Sequence, residues 1–232
     1  MLSEMIQITP SQGSRFPAHL ARPSGNEGPG VIMLNETLGI TPRIKKIAAE
    51  FAENGYLVCT PNLLRRTPEY CLPNSNKGVD LQQAPGYRSE FNQELAVRDI
   101  ESVVETLKAH SCCNGKIATA GFSLGGTLAF LTAAYLEPDA AVAYYPTQIQ
   151  DHLDKGKCIT CQTVFHMGRN DTNISVENNQ KIHASLIGKF NIGIYRYDAG
   201  HAFANPDNLA NYDIQAATLA HKRTFDVLNA LK

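Results

Sequence analysis

Gly121-Phe122-Ser123-Leu124-Gly125 is the stretch that decides the fold, because of what lies on either side of it. Residues 116–120 before it predict a short strand, and residues 124–136 after it predict a buried helix filled with small and apolar side chains. Between a strand and a helix, a serine flanked by glycines predicts a sharp, strained turn that carries no clashing side chains. The turn exposes the hydroxyl at a helix N-terminus, where free N–H groups favour a developing oxyanion. The alternative is an ordinary N-cap serine.

Strands and helices alternate along the rest of the chain. This alternation predicts an α/β fold: a single domain, residues 1–232, with a mostly parallel sheet of roughly eight strands and helices on both faces. Strands are predicted at 5–9, 16–21, 30–34, 56–59, 116–120, 140–145, 163–167 and 192–197. Helices are predicted at 44–54, 91–109, 124–136, 176–187 and 208–231. Residues 61–86 have no apolar periodicity, which favours a lid or a pocket wall.

Charge and composition exclude several classes of function. The chain has 21 basic and 22 acidic side chains and no block of lysine or arginine, so neither nucleic acid nor an anionic membrane is expected as a partner. No apolar run reaches the ~18 residues of a membrane span and no signal-peptide pattern is present, so a cytoplasmic location is expected. A monomer or a dimer is expected.

The six cysteines include one pair with redox or metal-half-site spacing, Cys158-Ile-Thr-Cys161. A zinc site needs about four ligands, and no second pair with matching spacing exists. Free thiols are therefore expected, with no metal and no cofactor, and a redox role is the remote alternative.

His201 is the candidate base that activates the serine. A serine hydroxyl is a poor nucleophile until a base takes its proton. In folds with this kind of turn, the base comes late in the chain, in a loop after a strand. His201 meets both conditions, because it follows the strand predicted at 192–197. The other six histidines lie in predicted helices or strands, in a polar connection, or before the nucleophile.

Asp171 is the candidate partner of that base. It follows the strand predicted at 163–167 through a turn-like stretch, from which a carboxylate can reach His201 and stabilise the imidazolium. The alternative for Asp171 is a turn aspartate bonded to its own backbone. Asp198 is the rival acid, but it lies three residues before His201 on the same strand end, so it is poorly placed to reach the imidazole.

Five separated motifs together resemble the dienelactone hydrolase family, and the resemblance covers nearly the whole chain. They are Asn35-Glu36-Thr37-Leu38-Gly39, Gly121-Phe122-Ser123-Leu124-Gly125-Gly126, Ala143-Tyr144-Tyr145, Phe165-His166-Met167-Gly168 with Asp171, and Ala199-Gly200-His201-Ala202-Phe203-Ala204. The resemblance implies an α/β-hydrolase core of eight strands and cofactor-independent hydrolysis of an enol-lactone or a related ester. It also implies that Glu36 lies beside the nucleophile and that the backbone N–H groups of Thr37 and Leu124 hold the oxyanion.

The sequence departs from the family pattern in two places. The family's nucleophile is typically cysteine, whereas this chain has Ser123. Well-studied members bind a substrate carboxylate with arginines, one of them just after the catalytic histidine motif, and here Ala204 is followed by asparagine and proline. Arg88, or the pair Arg65 and Arg66, is a candidate substitute for that arginine.

The sequence therefore predicts a hydrolase that cleaves a small ester or lactone by acyl transfer through Ser123, His201 and Asp171. Tyr144 and Tyr145, at a strand end, are candidate walls of the substrate pocket, with core packing as the alternative. Two alternatives remain for the whole protein. One is another serine hydrolase, such as a thioesterase or a peptidase, and the other is a small-ligand-binding module with incidental turnover.

Overall fold

The computed structural model describes residues 2–23, 25, 27–36, 39–66 and 91–232. The chain divides into two compact units, Met1–Gly115 and Lys116–Lys232. Each unit is built from strands that are covered by helices. The expected single domain over residues 1–232 stays a prediction.

The first unit contains four strands in the spatial order β1-β2-β4-β3. They are β1 (Ser3–Ile8), β2 (Phe16–Ala21), β3 (Gly28–Leu34) and β4 (Leu57–Pro61). β1 and β2 form the predicted antiparallel hairpin, β2 is antiparallel to β4, and β3 is parallel to β4. The helices α1 (Pro42–Glu53) and α2 (Gln93–Lys108) pack against these strands, and a 3₁₀ turn spans Leu63–Arg66.

The second unit contains β5 (Cys113–Phe122) from Lys116 onward, β6 (Ala140–Tyr144), β7 (Gln162–Gly168) and β8 (Ile192–Tyr197), in that spatial order. Neighbouring strands are parallel throughout, so their carboxyl ends meet at one edge. In register, Phe122 lies beside Tyr144, Tyr144 beside His166, and Gly168 beside Tyr197. The loops after β5, β7 and β8 therefore leave the sheet on the same side, which is where ligands bind in sheets of this kind.

The helices of the second unit are α3 (Leu124–Tyr135), α4 (Val176–Leu186) and α5 (Ile214–Leu228), with 3₁₀ segments at Ile149–Cys158 and Asn229–Leu231. Every residue of α3 up to Ala134 is buried. A helix buried on all sides has no polar stripe, which explains why the sequence here shows small and apolar residues rather than a period of 3.6. α3 thus anchors the turn that precedes it.

The described residues contain eight mostly parallel strands with helices, and the predicted fold class is confirmed. One boundary was wrong: the last helix, predicted from residue 208, begins at Ile214. Residues 208–212 form turns instead, and the carboxylate of Asp213 caps the helix by accepting from the Ala216 amide at 2.8 Å. Most of the irregular stretch 61–86 lies outside the described residues. None of the described helices combines the length and the apolar character needed to cross a membrane.

Candidate active site

Ser123 lies in a strained turn between β5 and α3. Its φ of 54° and ψ of −113° place a non-glycine residue in a sparsely populated region, which costs about 1–3 kcal/mol. Gly121 makes the turn possible, because a Cβ there would lie 2.0 Å from the carbonyl oxygen of Gly125. Ser123 occupies the N-cap position of α3, but its side chain makes no capping hydrogen bond. The hydroxyl instead lies 3.1 Å from Nε2 of His201.

His201 lies in the loop after β8 and is nearly buried, with 9 % of its surface exposed. Its Nδ1 lies 2.7 Å from Oδ2 of Asp171. A carboxylate only accepts hydrogen bonds, so the proton of a neutral imidazole belongs on Nδ1. The lone pair of Nε2 then faces the hydroxyl of Ser123, which is the arrangement that a general base requires.

Asp171 makes two hydrogen bonds, one with each carboxylate oxygen. Oδ2 accepts from His201, and Oδ1 accepts from the backbone N–H of Asn173 at 2.8 Å. The two roles considered for this residue from sequence, partner of the histidine and turn aspartate, therefore coexist in one side chain. The turn bond orients the carboxylate, because it fixes one oxygen and leaves the other to face the imidazole. The rival Asp198 is exposed and accepts a hydrogen bond from the side chain of Asn170 at 2.8 Å.

Backbone contacts hold the Asp171 loop against the His201 loop. The amide of Arg169 donates to the carbonyl of Tyr197 at 2.8 Å, and the amide of Asn170 donates to the carbonyl of Ala199 at 3.1 Å. Gly168 allows this approach, since a Cβ there would lie 2.5 Å from the Ala199 carbonyl oxygen. Asp171 and His201 are thus brought together by the two loops, rather than by long side chains with many rotamers.

Tyr145 and Tyr144 both lie at the carboxyl end of β6, with different surroundings. The ring of Tyr145 packs edge-on against the imidazole of His201, with centroids 5.1 Å apart. Tyr145 has a φ of 35° and is completely buried. The ring of Tyr144 is 2 % exposed, and its hydroxyl is hydrogen bonded to Thr224 at 2.6 Å. Tyr145 therefore restrains the histidine ring directly, whereas Tyr144 is part of the packed interior.

The remaining residues singled out from sequence are only partly described. Leu124 is the first residue of α3, so its N–H is one of those that find no carbonyl within the helix. Glu36, in the first unit, lies near Arg43, with its Oε1 3.5 Å from the guanidinium nitrogen. Thr37, Arg88 and the side chains of Arg65 and Arg66 lie outside the described residues.

The described cysteines are free thiols: Cys59, Cys112, Cys113, Cys158 and Cys161. Burial raises the pKa of Cys161, which disfavours the thiolate that redox chemistry requires. Nowhere in the described ranges do three or more histidine, cysteine or acidic side chains group in a way that would hold a metal ion.

Sequence reasoning missed two features of this region. The first is the Asn173 amide that orients Asp171, for which the only signal is the Asp-Thr-Asn turn itself. The second is a hydrogen-bonded group centred on Thr224 and His166, which meet across 58 residues of chain. The sequence signal for this group is that Tyr144, His166 and Tyr197 lie near the carboxyl ends of β6, β7 and β8.

Comparison with known proteins shows the family to which the chain belongs. The model of the dienelactone hydrolase family matches residues 16–232. The chain is 31 % identical to carboxymethylenebutenolidase 1 of Cupriavidus pinatubonensis, over 100 % of this chain and 99 % of that protein. It is 30 % identical to a carboxymethylenebutenolidase of a Pseudomonas species, over 100 % of this chain and 97 % of that one.

Solved structures show the same fold. A Klebsiella pneumoniae structure superposes with a TM-score of 0.86 at 24 % identity, covering 98 % of both chains. A dienelactone hydrolase-like promiscuous phosphotriesterase from metagenomic libraries superposes with a TM-score of 0.82 at 16 % identity, covering 99 % of this chain and 98 % of that one. The predicted α/β-hydrolase fold and the family resemblance are both confirmed. The chain belongs to the dienelactone hydrolase family and is a hydrolase of the carboxylic ester and lactone type.

Proposed function

We propose that the chain cleaves a small ester or lactone by acyl transfer through Ser123, with His201 as the general base and Asp171 as its partner. One observation carries the proposal: an unbroken relay runs from the Ser123 hydroxyl to Nε2 at 3.1 Å and from Nδ1 to the Asp171 carboxylate at 2.7 Å. All three residues are buried, and no other described residue competes with the Ser123 hydroxyl for Nε2 of His201. Such an arrangement matches what nucleophilic catalysis by serine needs.

The reaction proceeds in two steps. Ser123 attacks the substrate carbonyl while His201 takes the hydroxyl proton, and Asp171 stabilises the imidazolium that forms. His201 then gives this proton to the leaving alkoxide, which in a lactone remains attached to the acyl chain. Water, deprotonated by His201, attacks the acyl-enzyme, and His201 gives the proton back to the departing Ser123 oxygen as the acid is released. Tyr145, packed on the imidazole, keeps the ring in the plane that both steps use.

The oxyanion of each tetrahedral intermediate is held by backbone donors. The amide of Leu124 fits this role, since it begins a helix and the helix dipole adds to its donor strength. Thr37 is the second donor in this proposal, by its resemblance to the family motif. Each such donor lowers the barrier by about 3 kcal/mol.

Glu36 is proposed as a second carboxylate beside the nucleophile, again by resemblance. The contact with Arg43, 3.5 Å from Oε1 of Glu36, supports a side chain that is held in a fixed direction. A serine, unlike a cysteine, is not ionised at neutral pH, so in this proposal the Glu36 carboxylate competes with His201 for the Ser123 hydroxyl proton in the resting state. Glu36→Gln should then lower the activity, and an unchanged activity would count against this role. Arg88 remains a candidate for binding an acidic substrate group.

The test is a panel of small lactones and p-nitrophenyl esters, acidic and neutral, assayed with wild type, Ser123→Ala and Ser123→Cys. We expect turnover by wild type, none above background for Ser123→Ala, and partial activity for Ser123→Cys. Preference for acidic substrates that disappears in Arg88→Ala would support Arg88 as the anion-binding residue. Undiminished turnover by Ser123→Ala would refute the proposed mechanism. Tight binding of the same compounds without product would favour the ligand-binding module.

A further inference from the structure

A buried group of five hydrogen-bonded side chains lies beside the candidate site, and we call it the Thr224 cluster. Its members are Tyr144 on β6, His166 on β7, Tyr197 on β8, and Arg223 and Thr224 on α5. The Thr224 hydroxyl lies 2.6 Å from the hydroxyl of Tyr144 and 3.1 Å from Nε2 of His166. Nδ1 of His166 lies 2.9 Å from the Tyr197 hydroxyl, to which Arg223 donates at 3.1 Å. The cluster thus ties three strand ends to one helix.

Donors and acceptors can be assigned to the hydrogen bonds of the cluster from the bond that Thr224 makes within its own helix. Thr224 donates its hydroxyl proton to the carbonyl of Ala220 at 3.0 Å, so it must accept from both Tyr144 and the Nε2–H of His166. Nδ1 of His166 then accepts from Tyr197, whose oxygen accepts from Arg223. The opposite tautomer would leave the Tyr197 proton without an acceptor among the described contacts. Thr224 is therefore the common acceptor on which the cluster depends.

His166 stays neutral in this setting. The ring is completely buried, and its burial, together with the nearby charge of Arg223 and with His221, lowers its pKa to about 3. A neutral imidazole can donate through one nitrogen and accept through the other, as the cluster requires. The ring is thus a fixed connector between Thr224 and Tyr197, and it does not change its proton in the working pH range.

Tyr144 links the cluster to the nucleophile and to the base. Its carbonyl accepts the backbone N–H of Ser123 at 3.0 Å, so the strand end that carries Tyr144 holds the strained turn. The next residue, Tyr145, donates its N–H to the carbonyl of His166 at 2.7 Å and packs on the ring of His201. One short segment therefore contacts Ser123 by its backbone and His201 by its side chain.

We propose that Thr224 is a positioning residue for catalysis: its hydroxyl holds Tyr144, and through that strand end it sets the Ser123–His201 geometry. This inference rests on the proposed acyl-transfer function. Thr224 touches neither the substrate nor the reacting atoms. Loss of the Thr224 hydroxyl is expected to lower the rate of acylation, because a displacement of about 1 Å at a nucleophile can cost on the order of a hundredfold in rate.

Thr132 offers a matched control on α3. Like Thr224 it is a completely buried helical threonine, but its hydroxyl has no hydrogen-bond partner among the described residues. Thr224→Val and Thr132→Val therefore remove the same hydroxyl from similar surroundings, and only the first breaks the cluster. Thr224→Ser keeps the hydroxyl and removes one methyl group. Comparison of the three separates the loss of the acceptor from the loss of packing.

The experiment measures the second-order rate constant for labelling of Ser123 by a fluorophosphonate, and kcat for a p-nitrophenyl ester, at a temperature where all variants are folded by circular dichroism. We expect Thr224→Val to lower both constants about tenfold or more with KM little changed, and Thr224→Ser to restore most of the rate. Thr132→Val stays close to wild type. Equal rates in Thr224→Val and Thr132→Val would overturn the proposal, and so would a Thr224→Ser variant that is as slow as Thr224→Val.

A second variant and the tautomer of His166 test the same hydrogen bonds. If Thr224→Val does not fold, Tyr144→Phe removes the other end of the same hydrogen bond and should lower the rate in the same direction; an unchanged rate would overturn the proposal. Imidazole ¹⁵N resonances should show His166 with its proton on Nε2 from roughly pH 5 to 8, and the opposite tautomer would contradict the cluster. A wild-type protein that is not labelled at Ser123 would refute the proposed function itself, and the positioning role would fall with it.

Discussion

Asp171→Asn is the substitution that most sharply separates the proposed relay from a mere cluster of polar side chains. Both neighbours of the carboxylate are donors: the backbone N–H of Asn173 faces one oxygen, and Nδ1–H of His201 faces the other. An asparagine has one acceptor and one donor group. The backbone N–H cannot change its role, so the asparagine oxygen turns toward Asn173 and the NH₂ group turns toward the imidazole.

That orientation forces His201 into the opposite tautomer. Nδ1 must then accept from the asparagine, and the proton moves to Nε2, which faces Ser123. A protonated Nε2 of a neutral ring cannot take the hydroxyl proton, so the base is lost although its position is kept. Tautomer inversion of this kind costs about 10⁴-fold in kcat, equivalent to about 5 kcal/mol of barrier. The effect on folding is smaller, about 1–2 kcal/mol, because both hydrogen bonds survive in neutral form.

The assay is steady-state hydrolysis of a p-nitrophenyl ester, with thermal unfolding measured in parallel. Asp198→Asn is the matched control, since Asp198 lies on the neighbouring loop, is exposed and, among the described residues, accepts from Asn170 alone. We expect this control to retain kcat within about threefold, because exposed charges contribute little. A loss of less than about tenfold in Asp171→Asn, or an equal loss in Asp198→Asn, would show that Asp171 does not set the tautomer of His201.

Three other predictions follow from contacts and burial. Gly121→Ala places a Cβ 2.0 Å from a helix carbonyl oxygen and should lower the free energy of unfolding by about 3 kcal/mol or more, measured in urea. Gly193→Ala is the control, because its Cβ meets nothing nearer than 3.6 Å, and it should change stability by less than about 1 kcal/mol. Similar losses in the two variants would contradict this prediction. Because burial lowers the pKa of His166 from 6.5 to about 3, the unfolded chain binds the extra proton between these values. The contribution of this residue to the free energy of unfolding is complete above pH 6.5 and falls by about 1.4 kcal/mol per pH unit on acidification. The free energy of unfolding of His166→Gln should therefore depend less on pH below 6.5 than that of wild type. The same dependence in both proteins would count against this prediction. Iodoacetamide should alkylate exposed Cys158 in the native protein but not Cys59, whose pKa burial raises to about 12; equal native labelling, read by peptide mass spectrometry, would show the assignment of burial to be wrong.

The alternation of strands and helices made the fold accessible from sequence. Strands buried on both faces appear as continuous apolar runs, and glycines and prolines mark most of the element ends. The last helix begins six residues later than predicted, at Ile214, after the N-cap residue Asp213. The turn contacts of residues 208–212, which form only in the folded chain, end before this cap.

The candidate site could be assembled from sequence only as an order of residues along the chain. A serine between glycines, an acid after one strand and a histidine after another indicate which loops to examine, but not the distances between their side chains. The bond from the Asn173 amide to Asp171 depends on local backbone angles that no residue pattern fixes. The bond between Tyr144 and Thr224 joins residues 80 positions apart, and a threonine inside a helix gives no sign of such a partner.

Trapping the acyl-enzyme and locating the acyl group tests directly whether Ser123 is the nucleophile. Wild type is mixed with a slowly hydrolysed p-nitrophenyl ester, quenched in acid, and analysed by intact mass and by peptide mapping. We expect one acyl group per chain on Ser123, formed in a burst, with none in Ser123→Ala. An acyl group on any other residue, or steady turnover without an adduct in wild type together with unchanged turnover in Ser123→Ala, would contradict it.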